Sequence, residues 1–154
     1  MACIDTFNGW RAIGTILSML DNTVSPTVWH PIVKLDSIPS PQGKTSEIDV
    51  TTHDTVNGFT QFLASLKDGG TASMTGVWDP TDPSHAQLQY WGVKKAFDDG
   101  ITRSWKIDYP TSPANQIVFC GFVNSYMVDS KVKDALRFSF GIRVTGQFDL
   151  QAGT

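Results

Sequence analysis

At 154 residues the chain is sized for one domain, long enough to bury about 70 % of the surface its unfolded form would expose. Its 40 % apolar and 18 % charged residues are those of an ordinary soluble globular protein, and a net charge of −3 excludes any global attraction to nucleic acid or an anionic membrane. Thirteen glycines, eight prolines and abundant threonine and serine favour strands and turns over a helical bundle.

The opening MACIDTFNGW has neither the basic leader nor the apolar core of a secretory signal, which predicts a chain made in the cytosol. Ala12 to Leu20 is the longest mostly apolar run and falls far short of the roughly 20 residues that span a bilayer. Cys3 and Cys120 stand alone and are read as two reduced thiols. Trp10 to Leu20 reads as a strand with Ile13, Leu17 and Met19 on one face, and Asp21-Asn22-Thr23 as a turn. Thr27 to Ile38 is a second extended run, which Pro31 confines to an edge, a bulge or a hairpin arm. Together the two runs predict a long hairpin projecting from the body. Ser37 to Thr45, with two prolines and a glycine, is a mobile loop.

From Lys44 to Thr52 the pattern alternates: Thr45, Glu47, Asp49 and Thr51 form a polar face, Ile48 and Val50 the other. Phe59, Phe62, Leu63 and Leu66 have helical spacing, so His53 to Lys67 reads as a turn or short helix ended by Asp68-Gly69-Gly70. Thr71 to Trp78 is a strand with Met74 and Trp78 on one side. Asp79 to Gly100 predicts a helix with Asp82 as N-cap, Pro83 in the first position, Gly100 as the stop and an apolar stripe of Ala86, Tyr90, Val93 and Phe97. Ile101 to Tyr109 alternates strictly, with Arg103 among its apolar residues. Gln116 to Asn124 is apolar on both faces and therefore central, and Tyr126 to Asp134 is a charged connection. In the last long strand, Ala135 to Thr145, Leu136, Phe138, Phe140, Ile142 and Val144 make a dry face and the residues between them a wet one. The fold class is mainly β: an antiparallel sandwich or barrel with one flanking helix.

Chemistry is nearly absent. Gly43-Lys44-Thr45 fails as a phosphate loop, because Ile38 stands where the first glycine belongs and a strand pattern follows where a helix is needed. His30, His53 and His85 lack a second ligand at a suitable spacing and read as surface or capping residues. No Gly-x-Ser-x-Gly elbow occurs, and Asp98-Asp99 reads as a solvated turn. Trp78, Trp91 and Trp105 fall on strand or helix stripes, which favours a core role over a sugar platform, while Trp10 and Trp29 sit in the proposed hairpin arms and suit an interface. No catalytic, cofactor-binding or metal-ligating residue is predicted.

The run EIDVTTHDTVNGFTQFLASLKDGGTASMTGVWDP from Glu47 resembles the signature region of the major tail tube proteins of long-tailed bacteriophages. The helix finishing in FDDG, the strands ITRSWKIDYP and FCGFVNSY and the closing RVTGQF resemble the same family in the same order, over most of Ile38 to Phe148. The predicted helix from Ser84 to Phe97 is longer than the family's short helix, and the first 25 residues match only as strands. The resemblance implies one tail-tube domain over 1–154, with N-terminal strands and loop over 1–45 and a core over 46–150. It implies a sandwich-like subunit, six of which form a ring whose inner strands join into one barrel. Stacked rings would form the virion tail tube, assembled in the host cytoplasm. Its partners would be further copies of the chain and the tape-measure, tail-terminator and tail-tip proteins, with transient, non-specific passage of double-stranded DNA and no membrane. On that reading Thr45, Glu47, Asp49 and Thr51 are candidates to line the lumen, since a lysine-lined bore would hold the genome in place. Ser37, Pro39, Pro41, Gly43 and Lys44 are candidates for an inter-ring loop. A tube subunit of a contractile tail, gene-transfer particle or secretion machine is the alternative. From another class, a monomeric carbohydrate-binding β-sandwich would show exposed coplanar aromatics.

Overall fold

Nine strands and one short helix follow one another along residues 11–153, the part of the chain described by the computed structural model; Cys3 and Trp10 lie outside it. In chain order they are β1 (Ile16–Asp21), β2 (Val28–Ile32), β3 (Leu35–Ser37), β4 (Lys44–Asp49), β5 (Phe62–Asp68), β6 (Thr71–Val77), α1 (Val93–Asp99), β7 (Arg103–Tyr109), β8 (Asn115–Asp129) and β9 (Arg137–Ala152). Seven strands form one antiparallel sheet in the order β2-β1-β7-β8-β9-β6-β3, and β4 and β5 pair apart from it.

Only Val33 and Lys34 separate β2 from β3, yet these strands occupy opposite edges of the sheet. Three Cα steps reach at most about 11 Å, so the sheet must roll until its edges meet. The corner is tight. Lys34 adopts φ 61°, its carbonyl accepts the Val77 N–H at 2.9 Å, and a Cβ on Gly76 would lie 2.4 Å from that carbonyl. Away from the corner the seam stays open, as a hollow of about 600 Å³ between Leu35, Ile38, Ile13 and Tyr109.

The core fills the roll. Phe138, Phe140, Ile142 and Val144 of β9 are buried as their alternation requires, while Leu136 lies before the strand and is exposed. Met74 of β6 and Tyr126 of β8 flank Phe140 in register, and Leu17, Met19, Trp105, Ile107 and Phe119 complete the interior. Each such apolar side chain contributes about 1.5–3 kcal/mol on burial. The expected positions of Pro31 on an edge strand and of β8 mid-sheet hold. So does Arg103 among the apolar residues of β7: its guanidinium lies 3.9 Å over the Tyr90 ring and 2.6 Å from Asp99.

Four expectations are corrected. The runs up to Leu20 and from Thr27 do not project, because β1 and β2 are integral to the sheet and the projecting hairpin is β4–β5. Phe62–Asp68 is a strand rather than a helix, preceded by one 3-10 turn at Val56–Gly58, since pairing with β4 satisfies its backbone. The helix covers only Val93–Asp99, with Gly100 as its left-handed stop; Asp79 to Tyr90 runs in successive turns instead. There Asp82 caps Ser84 rather than a helix, and the Ser84 carbonyl takes the Val93 N–H, folding the segment back on itself. Finally, β8 runs on to Asp129, through what reads as a charged connection.

β8 and β9 are 15 and 16 residues long and carry bulges at Phe119/Cys120 and Val123/Ser125. β7 pairs with β8 only over Asn115 to Gly121, so each long strand serves two layers. The first layer is β2, β1, β7, the start of β8 and the end of β9. The second is the remainder of β8 with the start of β9, then β6 and β3.

Candidate functional site

The β4–β5 hairpin is where the subunit departs most from an isolated soluble domain. Every residue of both strands is exposed, including Leu66 (81 %), Phe62 (59 %), Leu63 (57 %) and Ile48 (48 %). Two unsupported strands are marginal in water, and large apolar side chains left exposed on both sides of such a hairpin mark an interaction site. Ile48 pairs with Leu63 on one side and Val50 follows on the same side. On the other, Thr45, Glu47 and Asp49 face Lys67, Ala64 and Phe62. The carboxylate face therefore carries a lysine from the second arm as well, a cross-strand partner that is invisible in β4 alone. Thr51 lies past the strand, closing the hairpin: its N–H donates to Asp49 at 2.9 Å and its hydroxyl accepts the Gln61 N–H at 2.8 Å. Hydrogen bonding to Thr51 holds the Asp49 carboxyl below its ordinary range.

Ser37 to Lys44 forms the hairpin's root. Ser37 ends β3, Ile38 packs on the core, Pro39 is exposed, Pro41 is buried, and a Cβ on Gly43 would lie 3.2 Å from the Phe148 ring. Lys44 then opens β4 opposite Asp68. Beneath the root lies a hollow of about 730 Å³ lined by Lys44, Lys67, Val144 and Phe148.

The second layer has two open edges. From Phe122 onward β8 pairs with β9 alone, and β6 pairs with β3 only at Thr75 and Gly76, leaving the backbone of Thr71 to Met74 without a strand partner on that side. Exposed edges of this kind invite pairing with another chain.

The remaining candidates are structural. Trp105 is buried, and Trp29, Trp78 and Trp91 are half-buried, with Lys106 over the Trp29 ring at 4.9 Å; among the described residues no tryptophan offers an open platform. His30 stacks on Trp91 at 4.3 Å, and His53 is exposed. Of the surface and capping roles expected for His85 it takes the second: the ring is buried and bridges two backbone groups near the β2–β3 corner. The described residues hold no cluster of His, Cys, Asp and Glu fit for a metal ion, and no described helix is long and apolar enough to cross a membrane. Sequence reasoning missed β5 as the hairpin's second arm and the burial of His85; the clean alternation of β4 was the one signal pointing to a paired strand.

The sequence matches the family model described as lambda phage tail tube protein over residues 10–151. No curated protein matches it. Among solved structures, the fold is similar to a chain in the tail of an empty gene transfer agent particle of C6 symmetry, at 16 % identity and TM-score 0.68, covering 89 % of this chain and 96 % of that one. It is also similar to a chain of the sheath/tube terminator of an extracellular contractile injection system (10 % identity, TM-score 0.66, 96 % and 100 % covered). A third similar structure is the SPP1 tail tube (10 % identity, TM-score 0.59, 90 % and 76 % covered). A rolled antiparallel sheet with one short helix, a bare apolar hairpin and two open edges suits a subunit made to join others, and with the family model spanning nearly its whole length the chain belongs to the lambda phage tail tube proteins, structural components of the tails of phage-like particles.

Proposed function

We propose that the chain forms hexameric rings that stack through the β4–β5 hairpin into a tube, the conduit for double-stranded DNA leaving the particle. The observation that carries this reading is the hairpin, whose apolar side has no partner within the subunit. The two open edges of the second layer are different surfaces, so their contact is heterologous and closes a ring when the rotation permits. Within the ring the inner strands would continue from subunit to subunit. Ser37, Pro39, Pro41, Gly43 and Lys44 act as the inter-ring element by fixing the hairpin's root. The tape-measure, tail-terminator and tail-tip proteins are the expected partners, with assembly in the host cytoplasm and no membrane partner. The role is that of a passive conduit rather than an enzyme. Negative-stain microscopy of the purified protein should reveal rings or tubes; a strict monomer by light scattering at high concentration, with virion partners present, would overturn the reading.

Docking would bury Ile48, Val50 and Leu63 rather than Glu47 and Asp49, because a carboxylate buried without a partner is strongly disfavoured. That leaves the face of Thr45, Glu47 and Asp49, with Thr51 beyond, to the bore. Glu47→Lys with Asp49→Lys should then leave tube assembly intact and slow genome ejection, most at low salt where screening is weakest. Normal ejection from well-formed tails of the double variant would put these carboxylates outside the bore.

A further inference from the structure

The second layer has two unlike ends. At one, the Gly70 carbonyl accepts the Val144 N–H at 3.0 Å and Arg143 donates to Asp68 at 2.9 Å, which fixes the root of the β4–β5 hairpin. At the other, Val77 and Asp129 lie opposite Arg137, whose guanidinium reaches Asp36 and Asp134. From Arg137 to Arg143 the strand rises roughly 20 Å, so hairpin and β8–β9 turn leave the layer at opposite ends.

The turn is exposed from Ser130 to Leu136. The Asp134 N–H donates to the Lys131 carbonyl at 3.2 Å, which sets Val132 and Lys133 in the two central positions. Such positions favour Gly, Pro, Asn, Asp and Ser, yet Val132 stands there fully exposed, with Leu136 part-exposed behind it. Nothing within the subunit uses this valine. Asp134 is engaged by Arg137 and Asp129 by Lys131 at 3.6 Å, while Lys133 has no ion-pair partner among the described residues. The tip therefore presents one aliphatic side chain between two ammonium groups. The outer part of the hairpin is its complement. From Ser46 to Leu63 it carries Glu47, Asp49 and Asp54 and no lysine or arginine. Asp54 is exposed in the connection between the arms, close to the exposed Val50 and Phe59.

We infer that the β8–β9 turn is the seat of the hairpin on the next ring: Val132 packs against the apolar side of a second copy's hairpin, and Lys131 and Lys133 pair with Asp54 at its tip. The inference rests on the ring-stacking reading and names the surface that receives the hairpin. Rings stacked by one repeated operation meet through unlike faces, so the face that bears the hairpins meets the face at the subunit's other end. In the second layer that end is the turn. The charges agree, because a basic turn meets an acidic hairpin tip. Rings stacked the wrong way round would set turn against turn or hairpin against hairpin, and like charges then face each other. The same contact thus gives the tube its polarity.

A pair of charge-reversed proteins tests this. Asp54→Lys in one, and Lys131→Asp with Lys133→Asp in the other, should leave the urea midpoint unchanged, since all three side chains are on the surface. Each protein alone should give no sedimentable tubes. Mixed in equal amounts they should form tubes again, because the hairpin of each now suits the turn of the other. Tubes from either protein alone, or none from the mixture, would overturn the inference and leave ring stacking through the hairpin standing. Val132→Glu checks the packing: it should stop assembly at single rings, and tubes of normal length would show that the turn is not the seat. A parent chain that forms no tubes would remove the stacking reading and the inference with it.

Discussion

Replacing Ile48 by Lys together with Leu63 by Glu should abolish tubes while leaving the subunit folded. The two residues face each other across the hairpin, so opposite charges at these positions keep a favourable cross-strand pair and the register. Both are more than two-fifths exposed in the single subunit, so exchanging them removes little that holds the fold together. The thermal midpoint and urea unfolding should match the parent to within about 0.5 kcal/mol, as for most surface changes. Assembly is another matter. Each buried aliphatic side chain forfeits about 1.5–3 kcal/mol, and docking must now desolvate two charges as well. The loss recurs at every subunit of every ring junction. Sedimentation and negative-stain microscopy should therefore find monomers or single rings in place of tubes. Tubes of normal length from the double variant would mean that the hairpin does not hold rings together.

What could be read in advance follows the range of the interaction. The dry face of β9 is a local, period-2 signal and holds for Phe138, Phe140, Ile142 and Val144. Arg103 within the alternation of β7 and Pro31 on an edge were legible for the same reason, since each needs only its own strand. The misreadings came where a distant partner decides. Phe59, Phe62, Leu63 and Leu66 obey helical spacing, but the segment has no body surface to pack a helix against and pairs with β4 instead. The Asp82-Pro83 start signal is sound locally, yet Ser84 and His85 are claimed by the β2–β3 corner. Gly92 also crosses close over the preceding turn, where a Cβ would lie 2.1 Å from the Ala86 carbonyl, a path no continuous helix follows.

The candidate site was legible only in part. Alternation in β4 put Thr45, Glu47 and Asp49 on one face, but Lys67 enters that face from the second arm. The ion pairs at the two ends of the second layer could not be seen at all: Arg137 and Asp36 lie 101 residues apart, and Arg143 and Asp68 lie 75 apart. Each charge alone looks like an ordinary solvated residue.

His85→Ala should destabilise the subunit by about 3–5 kcal/mol, a large share of the 5–15 kcal/mol available to a domain. The ring donates from Nε2 to the Val33 carbonyl at 2.7 Å and accepts the Asp79 N–H at Nδ1 at 3.0 Å, which fixes the tautomer with its proton on Nε2. It also packs on Phe138 at 4.4 Å between centroids. Truncation would leave two backbone groups at the β2–β3 corner without partners, each worth about 1–3 kcal/mol, and open a cavity beside Phe138. Two further variants separate these causes. His85→Phe restores the packing but neither hydrogen bond, and should remain nearly as unstable as the alanine variant. His85→Gln offers an amide that can donate to Val33 and accept from Asp79, and should recover about half of the loss. Urea unfolding reads all three as shifts in midpoint at constant slope. If phenylalanine restores stability and glutamine does not, the corner is held by packing and the hydrogen bonds to Val33 and Asp79 are incidental.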